Sequence, residues 1–131
     1  MPSPLTAGIE CGHAPIDAQH ADLFQVLELL LHAAKGGDAE AARQASERLV
    51  AATRAHFAWE EARMGESRYD EAEVHAEAHR TFLEESERLA AEVRGRGITP
   101  MLRLWLEGRY SSWFRFHTRG QDARLGRHLA W

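Results

Sequence analysis

The sequence predicts an all-α fold: an up-down-up-down antiparallel four-helix bundle behind a short irregular N-terminal arm. Three observations carry this expectation. Apolar residues recur at helical spacing along four long stretches. Those stretches are parted by compact breaks at Gly36-Gly37, Gly65-Glu66-Ser67 and Gly95-Arg96-Gly97, short enough to set neighbouring helices antiparallel. No strand-like alternation, internal repeat or low-complexity run interrupts them. A chain of 131 residues is long enough for one domain with a full core, divided here into an arm over residues 1–16 and a bundle over residues 17–131.

The arm is expected to be irregular because it carries three of the four prolines and two glycines. Asp17 is the expected N-cap of the first helix, whose stripe is Leu23, Phe24, Leu27, Leu30 and Leu31. Gly36-Gly37 ends it and Asp38 caps the second helix, which runs to about Met64, where Gly65 stops it. Its inward face reads Ala45, Leu49, Ala52, His56 and Trp59 or Glu60. The third helix begins between Ser67 and Asp70 and runs to about Arg94, with His75, His79, Phe82, Leu89 and Val93 on one stripe. Thr99-Pro100 is a strong start for the fourth, a capping hydroxyl followed by proline in the first turn. Its stripe is Leu102, Leu106, Tyr110, Trp113, Phe114 and His117. Gly120 is a point of bending or ending, and Leu125 and Leu129 carry the pattern beyond it.

Composition narrows the function. The net charge is −4 with acids and bases interspersed, so no basic stripe marks a nucleic-acid partner and no charge block marks a tail. No apolar run approaches the length of a membrane span. The opening MPSPLTAGIECGHAPID lacks the basic start and apolar run of a secretion signal. A single cysteine, Cys11, forms no internal disulfide and fits a reducing compartment. The expected location is therefore cytoplasmic. Nothing in the sequence points to a particular protein partner.

The informative residues are histidines and carboxylates. His56/Glu60 and His75/His79 are spaced i,i+4, which puts each pair on one helix face, one turn apart. Both pairs lie against the same break between adjacent helices. If the bundle is antiparallel, His20, His56, Glu60, His75, His79, His117 and Asp122 all fall roughly 5–15 Å above the same bundle end, given the rise of about 1.5 Å per residue. All four helices contribute. His117 and Asp122 are spaced i,i+5, about 140° apart on an ideal α-helix. With Gly120 between them, a local widening of the π-bulge kind is expected.

Neutral imidazole and carboxylate are metal ligands, and the absence of thiolates disfavours iron–sulfur clusters and structural zinc. Five histidines, two bridging carboxylates and a shared oxide or hydroxide would make one six-coordinate and one five-coordinate metal. The open position is a place for a small ligand, whereas a structural site is normally closed. Two divalent ions, two carboxylates and one hydroxide sum to a small positive charge, tolerable in a buried site.

Taken together, His20 in IDAQH, His56 and Glu60 in HFAWEEARM, His75 and His79 in HAEAH, and His117 and Asp122 in HTRGQD resemble the hemerythrin family, most closely its single-domain bacterial members. The resemblance runs from Ile16 to about Leu129. It implies a bundle that binds O2 reversibly at a non-haem di-iron centre with an oxo or hydroxo bridge. It also implies roles: His75, His79 and His117 on the coordinatively full iron, His20 and His56 on the iron with the open position, Glu60 and Asp122 as bridges. The implied O2 pocket is Leu23, Phe57, Trp113, Phe114 and Thr118. Two pocket positions depart from the family pattern, Phe114 where leucine is usual and Thr118 where isoleucine is usual. The arm also lacks a tryptophan that many bacterial members carry.

The leading expectation is a non-enzymatic oxygen-binding protein for storage, delivery or sensing. The alternatives are a di-iron enzyme acting on peroxide or nitric oxide or repairing iron centres, and a signalling module. Ferritin-like oxidases are disfavoured because their sites are richer in glutamate. His13, His32 and His128 are expected to have no metal role. Phe24, Phe82 and Trp105 are expected in the core, Glu61 in solvent, Cys11 as an inert thiol, and the arginines from Arg115 to Arg127 on a solvated face.

Overall fold

A computed structural model of the protein describes residues 11–129, and every regular element among them is helical. α1 spans Ala14–Gly36, α2 Ala39–Glu66 and α3 Ala72–Arg96. α4 is one continuous helix over residues 100–129, widened to π geometry at Trp105–Tyr110 and again at Thr118–Asp122. The four run up, down, up and down as a bundle, as the apolar periodicity predicts.

The ends of the helices show why the connections are tight. α1 closes on Gly37, whose φ of 72° is the left-handed conformation glycine tolerates. The amide of Asp38 then donates to Ala33 O at 3.0 Å, and the Asp38 carboxylate caps α2 by accepting from the Ala41 amide at 3.0 Å. One residue thus ends one helix and starts the next. Thr99 caps α4 through Oγ1, which accepts from the Leu102 amide at 3.2 Å, with Pro100 behind it in the first turn.

The start of α1 differs from expectation. The helix begins at Ala14, and His13 is the N-cap, its Nδ1 accepting from the Ile16 amide at 3.4 Å. Pro15 is accommodated because first-turn amides need no helical partner. Asp17 sits one turn in and reaches back, accepting from the Cys11 amide at 2.8 Å and the Gly12 amide at 3.3 Å. It pins the arm instead of capping the helix. Of the expected arm, residues 1–10 lie outside the described residues, and Ala14 to Ile16 are helical. Similarly, Gly65 does not stop α2, which ends at Glu66 with Ser67 as C-cap.

The core fills the bundle from end to end. Leu23, Phe24, Leu27 and Leu30 of α1 meet Leu49 and Phe57 of α2, Phe82 and Val93 of α3, and Leu102, Leu106, Tyr110 and Phe114 of α4. On α2 the inward face is Ala45, Leu49, Thr53, His56, Phe57 and Glu60, while Ala52 and Trp59 are only half-buried. Thr53 is buried because its hydroxyl pairs with the Tyr110 hydroxyl at 3.3 Å in the middle of the core. A smaller cluster of Ile16, Met64 and Leu125 closes the other side of the polar layer described next. That layer is therefore sealed between two apolar plugs.

Candidate metal centre

The seven expected residues converge. His20 of α1, His56 and Glu60 of α2, His75 and His79 of α3, and His117 and Asp122 of α4 are all buried, the two carboxylates completely. The i,i+4 pairs act as one-turn clamps on α2 and α3. The His117/Asp122 pair meets because α4 is a π-helix at Thr118–Asp122, so five residues make about one turn. His117 Nε2 lies 3.0 Å from Asp122 Oδ1. The expected widening at Gly120 is present, and the helix continues through it to Leu129.

Each histidine turns Nε2 inward. Asp122 stands 3.0 Å from His20 Nε2, 2.9 Å from His75 Nε2 and 3.0 Å from His117 Nε2. Glu60 stands 3.2 Å from His56 Nε2, 3.3 Å from His75 Nε2 and 3.1 Å from His79 Nε2. These approaches are short, yet His20 Nε2, His56 Nε2, His79 Nε2, both Glu60 oxygens and Asp122 Oδ2 make no aligned hydrogen bond. Buried polar atoms left without partners are costly. Polar atoms brought this close without bonding to one another form a set whose unmet demand a cation would satisfy.

The donor atoms fall into two sets. One is Glu60, His75, His79, His117 and Asp122; the other is His20, His56, Glu60 and Asp122. Within each set one atom per residue lies within 4.8 Å of all the others. Both carboxylates belong to both sets. The sets are unequal, three imidazoles against two.

Electrostatics in the metal-free protein reflect this crowding. Burial pushes the Glu60 carboxyl up, but the close approach of the His56, His75 and His79 imidazoles outweighs it and holds the group below the usual carboxylate range. Asp122 is likewise held well below it, burial being overcome by His117, His20 and His75. Burial opposes charge on His75, yet Asp122 and Glu60 raise it to about 9. His117, more deeply desolvated, is lowered despite Asp122. The cavity thus holds two anionic carboxylates and exchangeable protons, which a bound cation would displace.

Outer contacts orient two of the rings. His56 Nδ1 lies 2.7 Å from Gln19 Oε1, and His79 Nδ1 lies 3.2 Å from Glu61 Oε2. An inward Nε2 lone pair places the proton on Nδ1, so both pairs read as Nδ1–H donating to oxygen. Glu61 is therefore not simply solvated, as the sequence leads one to expect; it backs His79. Gln19 escapes sequence reasoning altogether. Its only signal is its place beside His20, on the side of α1 that faces α2.

The chain's relatives bear on which cation such a set takes. The family described as Hemerythrin HHE cation binding domain matches residues 11–129. The chain belongs to the hemerythrin family. It is also 31% identical over 120 residues to bacteriohemerythrin of Pseudomonas paraeruginosa (strain DSM 24068 / PA7), across 91% of this chain and 73% of that protein. For a hemerythrin domain, the His/Glu/Asp cluster implies binding of non-haem iron.

Of the pocket residues implied by the resemblance, Phe57, Trp113 and Phe114 meet rings of the cluster. Leu23, Phe57, Phe114 and Thr118 are buried and Trp113 is half-buried. Phe57 stacks on His79, centroids 3.8 Å apart and planes 6° apart. Trp113 stacks on His117 at 4.4 Å and 13°. Phe114 meets His20 edge-on at 6.3 Å. Phe57 and Trp113 thus brace the three-histidine set, and Phe114 walls the two-histidine set. Among the other histidines, His128 Nε2 lies 3.1 Å from Ser67 O and His32 is exposed. Like the capping His13, they stand outside both sets.

Proposed function

We propose that the protein binds two iron ions and O2 reversibly, as an oxygen-storing, oxygen-delivering or oxygen-sensing protein of the cytoplasm and not as a catalyst. The observation that carries this reading is the pair of unequal donor sets sharing both carboxylates. His75, His79 and His117 would hold one iron and His20 and His56 the other, with Glu60 and Asp122 available to both. The set with two imidazoles offers one nitrogen donor fewer than the other, so an iron held there would keep room for a small molecule. When bound and reduced, such irons would supply the electrons for reversible O2 uptake. The chain's own residues keep the reaction reversible: Leu23, Phe57 and Phe114 exclude water, and the stacked rings hold the imidazoles in place. No described helix is long and apolar enough to cross a membrane.

The test is anaerobic loading with Fe(II), metal analysis, then alternating air and deoxygenation. Two iron ions per chain and an optical change that reverses support the carrier. One metal or none per chain would overturn it. Rapid irreversible oxidation with turnover of peroxide or nitric oxide would establish the enzymatic alternative, which the buried Thr118 hydroxyl favours by making the pocket wall polar.

A further inference from the structure

The seam between α3 and α4 is tied at two places. Arg109 Nη2 lies 2.6 Å from Glu85 Oε1, and Arg124 Nε lies 3.0 Å from Glu71 Oε2. Between these ties a groove of about 750 Å³ stands open. Its α3 wall is Ala78, too small to fill the seam. Its α4 wall carries two aromatic rings, Trp113 and Phe116, and three guanidinium groups, Arg115, Arg119 and Arg124. Among the described residues no carboxylate lines it.

The sequence makes this half of α4 one-signed. From Ser111 to Leu129, histidines apart, the charged residues are Arg115, Arg119, Arg124, Arg127 and Asp122, and Asp122 is buried in the cluster. The outer face is therefore basic, in a protein whose net charge is −4. Phe116 lies on that basic face and is 84% exposed, more than any other large apolar residue described. Trp113 is held in place by stacking on Phe82, centroids 4.0 Å apart and planes 17° apart, as well as on His117. A Cβ added at Gly120 would stand 4.0 Å from Arg124 Nη1, so the guanidinium lies over the glycine at one end of the groove.

The lining narrows the occupant. The volume is that of a small-molecule site. Guanidinium forks take phosphate oxygens in pairs, and guanidinium planes and aromatic rings both take the face of a flat heterocycle. A stable protein interface covers about 800 Å² on each partner, whereas this is a gap between two helices closed at both ends by ion pairs. A bare phosphate would leave Phe116 unused. We propose that the α3–α4 groove binds an organic phosphate bearing a flat aromatic ring system, of the flavin mononucleotide (FMN) or nucleoside monophosphate class. The phosphate lies among the three arginines and the ring against Phe116 and Trp113. The site is distinct from both donor sets and shares only His117 with them.

The test uses the metal-free full chain at low salt. FMN and AMP are titrated by equilibrium dialysis, beside riboflavin, adenosine and inorganic phosphate. FMN or AMP is expected to saturate one site per chain below about 1 mM. The matching phosphate-free compound should bind at least about tenfold more weakly, and inorganic phosphate at equal concentration should not displace the ligand. Arg119→Gln should weaken binding about tenfold, the effect of one charge-assisted hydrogen bond at an exposed site. Phe116→Ala should weaken it about fivefold or more through lost stacking. Both side chains are exposed, so each variant should melt within about 2 °C of wild type; Phe116→Leu, apolar but without a ring face, repeats the measurement if Phe116→Ala melts lower. No saturation by either ligand below about 1 mM overturns the proposal. So do equal affinities with and without the phosphate, displacement by equal inorganic phosphate, or affinity unchanged in the variants. Because no metal is present, each of these outcomes leaves the iron-binding reading as it stands.

Discussion

Glu61→Ala tests whether the cluster is held by its outer contacts. Glu61 Oε2 lies 3.2 Å from His79 Nδ1, and its side chain is 43% exposed while that of His79 is 2% exposed. Removing the outer partner of a ligating histidine costs about 10–100-fold in metal affinity. Two features place Glu61→Ala at the low end. Water reaches the carboxylate, screens its charge and can replace it as acceptor. Phe57, stacked at 3.8 Å, also keeps the His79 ring from swinging away. The expected loss is therefore about tenfold, or about 1.4 kcal/mol. Gln19→Ala should cost more, roughly thirtyfold. The His56–Gln19 contact is shorter at 2.7 Å, and Phe57 lies tilted at 5.9 Å from His56 with no face stacked on it. Competition of Co(II) or anaerobic Fe(II) against a chelator of known affinity measures both. Glu61→Gln separates the causes: an orientation role is largely retained by the amide oxygen, and a charge role is lost as fully as in Glu61→Ala. Glu61→Ala within twofold of wild type, or weaker binding in Glu61→Ala than in Gln19→Ala, would refute this reasoning.

Three further predictions follow from other parts of the molecule. His56→Ala or Glu60→Ala should lose metal at one or both positions and lower the melting temperature of iron-loaded protein, since metal bound to the folded state is folding free energy; normal iron content and melting in both would sink the ligand assignment. Thr118→Ile should slow decay of the oxygenated spectrum by making the wall apolar, whereas Phe114→Leu, which opens space beside His20, should change the rate of O2 entry more than that decay. Stopped-flow mixing with O2 reads both, and a Thr118→Ile decay as fast as wild type would count against the hydroxyl. The Cys11 thiol is pushed up to about 12, chiefly by burial, with the Asp17 carboxylate adding to it. At pH 8 its thiolate fraction is roughly a thousandfold below that of an ordinary thiol. Alkylation by iodoacetamide should accordingly be at least about a hundredfold slower in native than in unfolded protein; equal rates would show the thiol to be open.

The bundle and the convergence of seven residues were legible because each rests on periodicity. Apolar spacing placed the helices, and the antiparallel order then put His20, His56, His75 and His117 at one end. Caps were less legible. Asp38 and Thr99 act as expected because each precedes a helix whose first turn lacks a rival. Asp17 did not, because His13 takes the cap and Pro15 fits the first turn, which moves the start of α1 upstream. Glu61 and Gln19 were hidden for another reason. Exposed-looking polar residues beside a ligand have no pattern of their own, and only the direction of each imidazole shows which of them is used.

The two π segments of α4 make the same point at the level of the backbone. An α-helix advances about 100° per residue, so i,i+4 steps drift by about 40° each. Leu102, Leu106, Tyr110 and Phe114 make three such steps, about 120° in all, yet each is buried in the same core. The widened turn at Trp105–Tyr110 absorbs that drift. It thereby delivers Tyr110 to Thr53 and brings Phe114 round to His20. The second widening, at Thr118–Asp122, performs the same correction for His117 and Asp122. It was expected because an i,i+5 pair of ligand types demanded it. The first was written just as plainly in a run of i,i+4 apolar residues, a pattern that an unbroken α-helix cannot keep on one face. Both corrections serve the same end: an unmodified helix would present His117 or Asp122 to the cluster, but not both, together with Phe114.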